Sequence, residues 1–295
     1  MVKYKNFDDI LISVFSYFIV TIMAVLCILP ILHTVAVSFS QKAVAEANMV
    51  GFFPVNITLS SYREILKDQQ FFISFGNSLI RVALGGAINL ILTILMAFPL
   101  SKNKRFFPQR NIYMWILVFC MLFNGGLIPS YLLISSLNLI NTIWALVLPT
   151  AVPIFNVIIL MNYFKGLPSE IDEAARIDGA GPWTVMIKIF VPLAVPSIAT
   201  VTLFSVVGHW NAFFDGMIYI NTASKLPLQT YIQQLVVQVI NVNNMTADQI
   251  IKLSEVSSKT FNAAKVFVTM VPVLIVYPFL QKYFITGLVM GSVKG

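Results

Sequence analysis

The sequence predicts an all-α membrane protein with six transmembrane helices. Three observations carry that prediction: 58% of the 295 residues are hydrophobic, only 11% are charged, and the apolar residues fall into six long runs. A soluble domain carries roughly 25% charged residues, and the mean hydropathy of +0.85 points the same way. Most of such a surface has to face lipid or another membrane subunit.

A lipid-spanning helix needs about 20 mainly apolar residues. Backbone groups inside lipid must also bond within their own segment. The runs are residues 11–34, 72–100, 111–133, 139–164, 189–208 and 266–280, each read as one helix. The first follows Lys3 and Lys5, as a secretory signal would. It is longer than a signal core and no small-x-small cleavage site follows it, so it reads as a retained span. The last is short, and Lys265 and Lys282 at its ends have to snorkel outward.

The net charge of +7 is a matter of topology rather than of nucleic-acid binding, for which this chain is too apolar. With six spans both termini share a side. That side collects Lys3, Lys5, Lys102, Lys104, Arg105, Arg110, Lys165, Arg176, Lys188, Lys282 and Lys294. The other side has Lys42, Arg63, Lys67, Lys225, Lys252, Lys259 and Lys265, spread over two long loops. The excess in short loops predicts cytoplasmic termini. Arg81 alone is left inside a span, where a structural pairing is the favoured role.

Catalytic chemistry finds little support. There are two histidines, His33 and His209, and two cysteines, Cys27 and Cys120, both cysteines in apolar runs. They offer no metal-ligand spacing, no disulfide framework and no convincing Ser/His/Asp set. No phosphate loop of the form Gly-x-x-x-x-Gly-Lys-Ser/Thr occurs, so the chain itself is not expected to bind ATP or another cofactor. The spans lack Asp and Glu, which argues against a proton- or sodium-coupled carrier.

The informative segment is the loop at 165–188. Ser169 is read as a helix N-cap with Asp172 three residues on, and Glu170, Asp172 and Glu173 load the first turn with negative charge. The helix is expected over about 170–178, with Gly179 at the position after it, where positive φ is easy. Pro182 then opens a second helix. Ala174 and Ala175 thin the first helix, and Ile171 shares a face with them. Two readings follow: a knob that docks in a groove of another protein, or a short interfacial helix packed on its own bundle. Pro192 and Pro196, four apart, predict a kink in the fifth span.

This loop resembles the EAA loop of the ATP-binding-cassette (ABC) importer permeases, with Glu173, Ala174, Ala175, Asp178, Gly179 and Ala180 followed by Ile189, Pro192 and Pro196. Gly181 and Met186 depart from the pattern, where Ser and an aromatic residue are common. Three further segments are similar to carbohydrate-type permeases of that family, the subgroup importing complex oligosaccharides: Phe123-Asn124-Gly125-Gly126-Leu127-Ile128-Pro129, Trp210-Asn211-Ala212-Phe213-Phe214-Asp215, and the ending Gly291-Ser292-Val293-Lys294-Gly295.

The resemblance implies the type I importer fold, with the 165–188 loop as a cytoplasmic coupling element. It divides the chain into an N-terminal span and first extracellular loop (1–71), a core transmembrane domain (72–286) and a cytoplasmic tail (287–295). It implies a bacterial cell membrane location, a second homologous permease, two ATPase subunits that bind and hydrolyse the ATP, and an extracellular sugar-binding protein. Coupling falls to the six motif residues. Asn124, Trp210, Asn211 and Asp215 become candidates for a substrate path, because aromatic faces, amides and carboxylates suit a sugar. Trp and Tyr at such positions equally form an interfacial aromatic belt.

Overall fold

The structure, a computed structural model, describes residues 7–238 and 259–292. The readings of Lys3, Lys5, Lys252, Val293, Lys294 and Gly295 lie outside the described residues. All regular elements among them are helices. Three helices are long and apolar enough to cross a membrane, or up to six when each bent pair counts as one span.

The chain divides into two compact units, 1–68 with 234–270, and 69–233 with 271–295. In the first, α1 (Phe7–Ser38) is apolar all round, and most of its large side chains are exposed, as expected of a helix in lipid. The short helices α2 (Lys42–Glu46) and α3 (Ser60–Lys67) follow it. Ala36, Ala45 and Val50 form a small core there. The Ser38 hydroxyl meets the Tyr62 phenol at 2.7 Å, and Ser40 Oγ accepts from the Val55 N–H at 3.0 Å. Asp68 pairs with buried Lys265 at 2.6 Å.

The second unit is organised by α4 (Gln69–Ser101). Next come α5 (Arg110–Leu122) and α6 (Leu127–Ser136), then α7 (Trp144–Val147), prolonged by a tight turn at Leu148–Thr150. α8 (Ile154–Gly166) and α9 (Ser169–Ile177) lead to α10 (Pro182–Val185), which passes through a π-helical turn (Met186–Phe190) into α11 (Val191–Leu193). α12 (Val195–Asn211) and α13 (Phe214–Tyr219) follow; α14 (Leu228–Gln238) and α15 (Lys259–Ser292), which ends the described chain, each have residues in both units. α4 packs chiefly on α12 and α8.

Three expected spans are broken rather than straight. α5 and α6 meet at 113°. The break lies at Gly125-Gly126, where Gly126 takes a φ of 87° that a side chain would resist, and Asn124 Oδ1 accepts the Gly126 N–H at 2.9 Å. The α7 segment and α8 meet at 45°, with Pro149 and Pro153 removing two backbone donors around the break. The 182–193 segment and α12 meet at 84°, between Pro192 and Pro196, so the predicted kink is there and is sharper than a simple bend. The Tyr163 hydroxyl donates to the Leu193 carbonyl at 3.2 Å, supplying a partner beside this break.

Candidate functional site: a clamped loop helix and a polar cavity

The 165–188 loop folds as helix, tight turn, helix. α9 begins one residue earlier than expected, and the N-cap is Pro168 rather than Ser169; no side-chain capping bond forms. Asp172 explains the difference. Instead of reaching back along its own helix, it pairs with Lys102 Nζ at 3.0 Å and with Arg176 Nε at 3.3 Å.

The other end of α9 shows why its last residues are the types they are. Gly179 has a φ of 78°. The Ala180 N–H donates to the Ala175 carbonyl at 2.9 Å and the Gly179 N–H to the Arg176 carbonyl at 3.0 Å. This paired pattern is the Schellman closure, which requires a left-handed residue after the cap and favours an apolar contact across it. Ala175 and Ala180 supply that contact, both packed into the main core.

The motif therefore has two faces. Ala175 is buried, Ile171 and Ala180 are half-buried, and all three face this chain. Glu173, Ala174, Ile177 and Asp178 are exposed, and Ile177 is 85% exposed. The expected apolar stripe of Ile171 with Ala174 and Ala175 is thus split: the outward face is centred on Glu173, Ala174 and Ile177. A 100° step per residue puts Ala174 on the opposite flank from Ala175's neighbours in the core.

Around Lys102 the second unit builds an aromatic box. Phe98, Phe164 and Phe190 meet edge to face, with ring centroids 5.2 to 6.3 Å apart. The Lys102 ammonium lies 3.7 Å from the Phe190 centroid and 4.3 Å from that of Phe98. Burial pushes the Lys102 pKa below its ordinary value, and Asp172 works against that shift. Arg176 stacks on Phe106 at 4.1 Å, and Arg110 Nε donates to the Leu100 carbonyl at 2.8 Å. A cavity of about 330 Å³ lies here, among Ser101, Lys102, Arg110, Lys165, Asp172 and Glu173.

A second cavity, of about 510 Å³, opens between α4, α8 and α12. Its polar lining includes Arg81, Asn89, Asn156, Ser205, His209 and Asp215. Arg81, 1% exposed, is gripped by both Asp215 oxygens; Nη1 donates to Oδ1 at 3.1 Å and to the Ala212 carbonyl at 3.2 Å. Sequence reading expected a pairing for Arg81 but not this partner, 134 residues away. Asn156 donates to Ser205 Oγ at 3.1 Å and to the Val201 carbonyl at 3.2 Å. The hydrogen-bond network orients the Asn89 amide so that its oxygen accepts from His209 Nε2 at 3.3 Å. The His209 ring lies against Gly85, where a Cβ would overlap it.

The four path candidates are placed differently. Asp215 lines the large cavity. Trp210 is buried edge-on against Phe75, with centroids 5.7 Å apart. Asn211 is exposed. Asn124 is exposed and spends its side-chain oxygen on the Gly126 turn. Asn89, Asn156 and His209 were missed. For Asn89 and Asn156 the signal was available, since polar residues inside apolar runs are costly in lipid and mark interior faces; His209 lies just past the fifth run. Among the described residues, no cluster of His, Cys, Asp or Glu is arranged to hold a metal ion.

Comparison with known proteins decides the family. The family described as "binding-protein-dependent transport system inner membrane component" matches residues 73–289. The chain belongs to that family. It is the membrane-spanning permease subunit of an ABC importer, a transport subunit rather than an enzyme, working with ATPase and binding-protein components. The permease is similar to the polygalacturonan/rhamnogalacturonan transport system permease protein YtcP of Bacillus subtilis, at 36% identity over 97% of this chain and 99% of that one. It is 40% identical to protein LplC of the same organism over 91% of this chain and 90% of that one. A chain from the crystal structure of a bacterial ABC transporter involved in import of the acidic polysaccharide alginate superposes with a TM-score of 0.83. That chain is 29% identical, and the match covers 96% of the permease and 100% of it.

Proposed function

We propose that this permease carries a carbohydrate, an oligosaccharide, across the bacterial cell membrane after delivery by an extracellular sugar-binding protein. It pairs with a second homologous permease and two ATPase subunits, both of its termini are cytoplasmic, and the ATP is bound by the ATPases alone. Glu173, Ala174, Ala175, Asp178, Gly179 and Ala180 form the coupling element. Their exposure supports a division of labour: Ala175, Gly179 and Ala180 shape and seat α9, while Glu173, Ala174 and Asp178 meet the ATPase.

The observation that carries this reading is the outward face of α9. A capped helix fixed to the transmembrane core, with its exposed side bearing a small residue, a carboxylate and a bare isoleucine, is built to enter another protein's groove. The carbohydrate assignment is supported by the polysaccharide transporters it resembles. The large cavity adds chemical sense, because Asn156, Ser205, His209 and Asp215 offer hydrogen-bond partners for hydroxyls beside the apolar faces of Phe204 and Pro149.

The test is a binding screen of saccharides on the cognate binding protein, followed by uptake into proteoliposomes holding the whole importer. The expected result is uptake of a bound oligosaccharide that requires internal ATP and persists without an ion gradient. Uptake driven by a proton or sodium gradient without ATP contradicts the proposal.

A further inference from the structure

We infer that Lys102 is a positioning residue for energy coupling: it clamps α9 to the end of α4 and to the π-helical turn, so that these elements move as one body when the ATPase pulls on α9. The inference rests on α9 being the coupling element, as proposed above.

The geometry is specific. Lys102 follows directly on α4, and its ammonium reaches three separate segments. It pairs with Asp172 of α9 at 3.0 Å, sits 3.7 Å from the ring of Phe190 in the π-helical turn, and lies 4.3 Å from Phe98 of α4. Its side chain is 9% exposed and that of Asp172 is 12% exposed. A solvated ion pair slides and exchanges with water and holds little. A pair withdrawn from water and backed by aromatic faces resists separation, because Lys102 would lose its carboxylate partner and Asp172 would keep only the partly exposed Arg176. The π-helical turn is a second feature of this joint, since such turns occur frequently at functional sites. It leads through α11 into the 84° break before α12, which lines the large cavity with His209 and Ser205. Displacement of α9 therefore has a buried, charged linkage to α4 and to the π-helical turn, which continues through α11 into α12; α4 and α12 both line the cavity.

The test uses the importer purified with its ATPase in lipid nanodiscs, with magnesium ATP and vanadate as the probe. Exposed Cys27 and Cys120 are replaced by serine, and Asn211→Cys at the end of α12 is labelled with a charged maleimide. Lys102→Met, Lys102→Arg and the double variant Lys102→Met/Asp172→Asn are compared with the parent. The parent is expected to label differently with and without ATP–vanadate. Lys102→Met and the double variant are expected to copurify with the ATPase and hydrolyse ATP while losing that difference, and Lys102→Arg is expected to restore it. The double variant, which leaves no charge buried alone, decides the matter should Lys102→Met fail to assemble. A nucleotide-dependent difference that persists in either Met variant overturns the clamp. Gly179→Val serves as the separate control: unaltered assembly and ATPase coupling in that variant removes the coupling role of α9 itself, whatever Lys102 does.

Discussion

Asp215→Asn is expected to lower the stability of the purified permease by about 3–5 kcal/mol, the effect of leaving a buried charge without its partner. Arg81 is 1% exposed, and Asp215 engages both terminal nitrogens of its guanidinium. The Ala212 and Leu146 carbonyls, at 3.2 and 3.5 Å, are dipoles and do not replace a full negative charge. The variant is to be compared with the wild type by thermal unfolding in one detergent. The double variant Arg81→Met/Asp215→Asn is expected to regain most of the loss, since an apolar replacement of a buried pair is often neutral. A single variant that melts with the wild type shows that the pair is solvated.

The second large effect concerns the turn after α9. Gly179→Val is expected to abolish ATP-dependent uptake and to weaken copurification with the ATPase, whereas Gly179→Asn retains both. The reason is conformational. Among the described residues nothing lies within 4 Å of where a Gly179 Cβ would stand, so crowding is not the issue. The φ of 78° is the issue, because a β-branched residue there costs of order 1–3 kcal/mol, while Asn visits this region readily. Relieving the strain opens the Schellman closure, unseats Ala180 from the core and rotates the outward face of α9. Equal loss in the Val and Asn variants would show that the requirement at this position is for the absence of a side chain at the partner surface, not for the left-handed turn.

The two results separate what was legible in the sequence from what was not. The loop's shape was legible because it is local: Gly179 and Pro182 each constrain their own backbone, and the structure places them as the turn and the start of α10. The sharp break at Gly125-Gly126 was written in the sequence too, but the long apolar run around it favoured a continuous helix. The Ser169 cap failed for a different reason. Its pattern was correct locally, yet the Asp172 carboxylate is drawn to the Lys102 ammonium, 70 positions earlier, in an ion pair that local sequence does not reveal. Arg81 with Asp215, and Asn89 with His209, are likewise tertiary facts: the sequence marks Arg81 and Asn89 as out of place in lipid but does not say which residues they meet. The same limit applies to α9, where the thin face was read as Ala174 with Ala175. Only the packing shows that Ala175 turns inward and Ile177 outward.

The central claim is that the outward face of α9 docks on the ATPase. The most direct measurement places a photo-crosslinking residue at Ile177, 85% exposed, in the complete importer, with a second at Phe18 of α1, 62% exposed, as the comparison. The account predicts a covalent adduct with the ATPase subunit from position 177 and none from position 18. Absence of an ATPase adduct at 177, with the importer assembled and hydrolysing ATP, would contradict it.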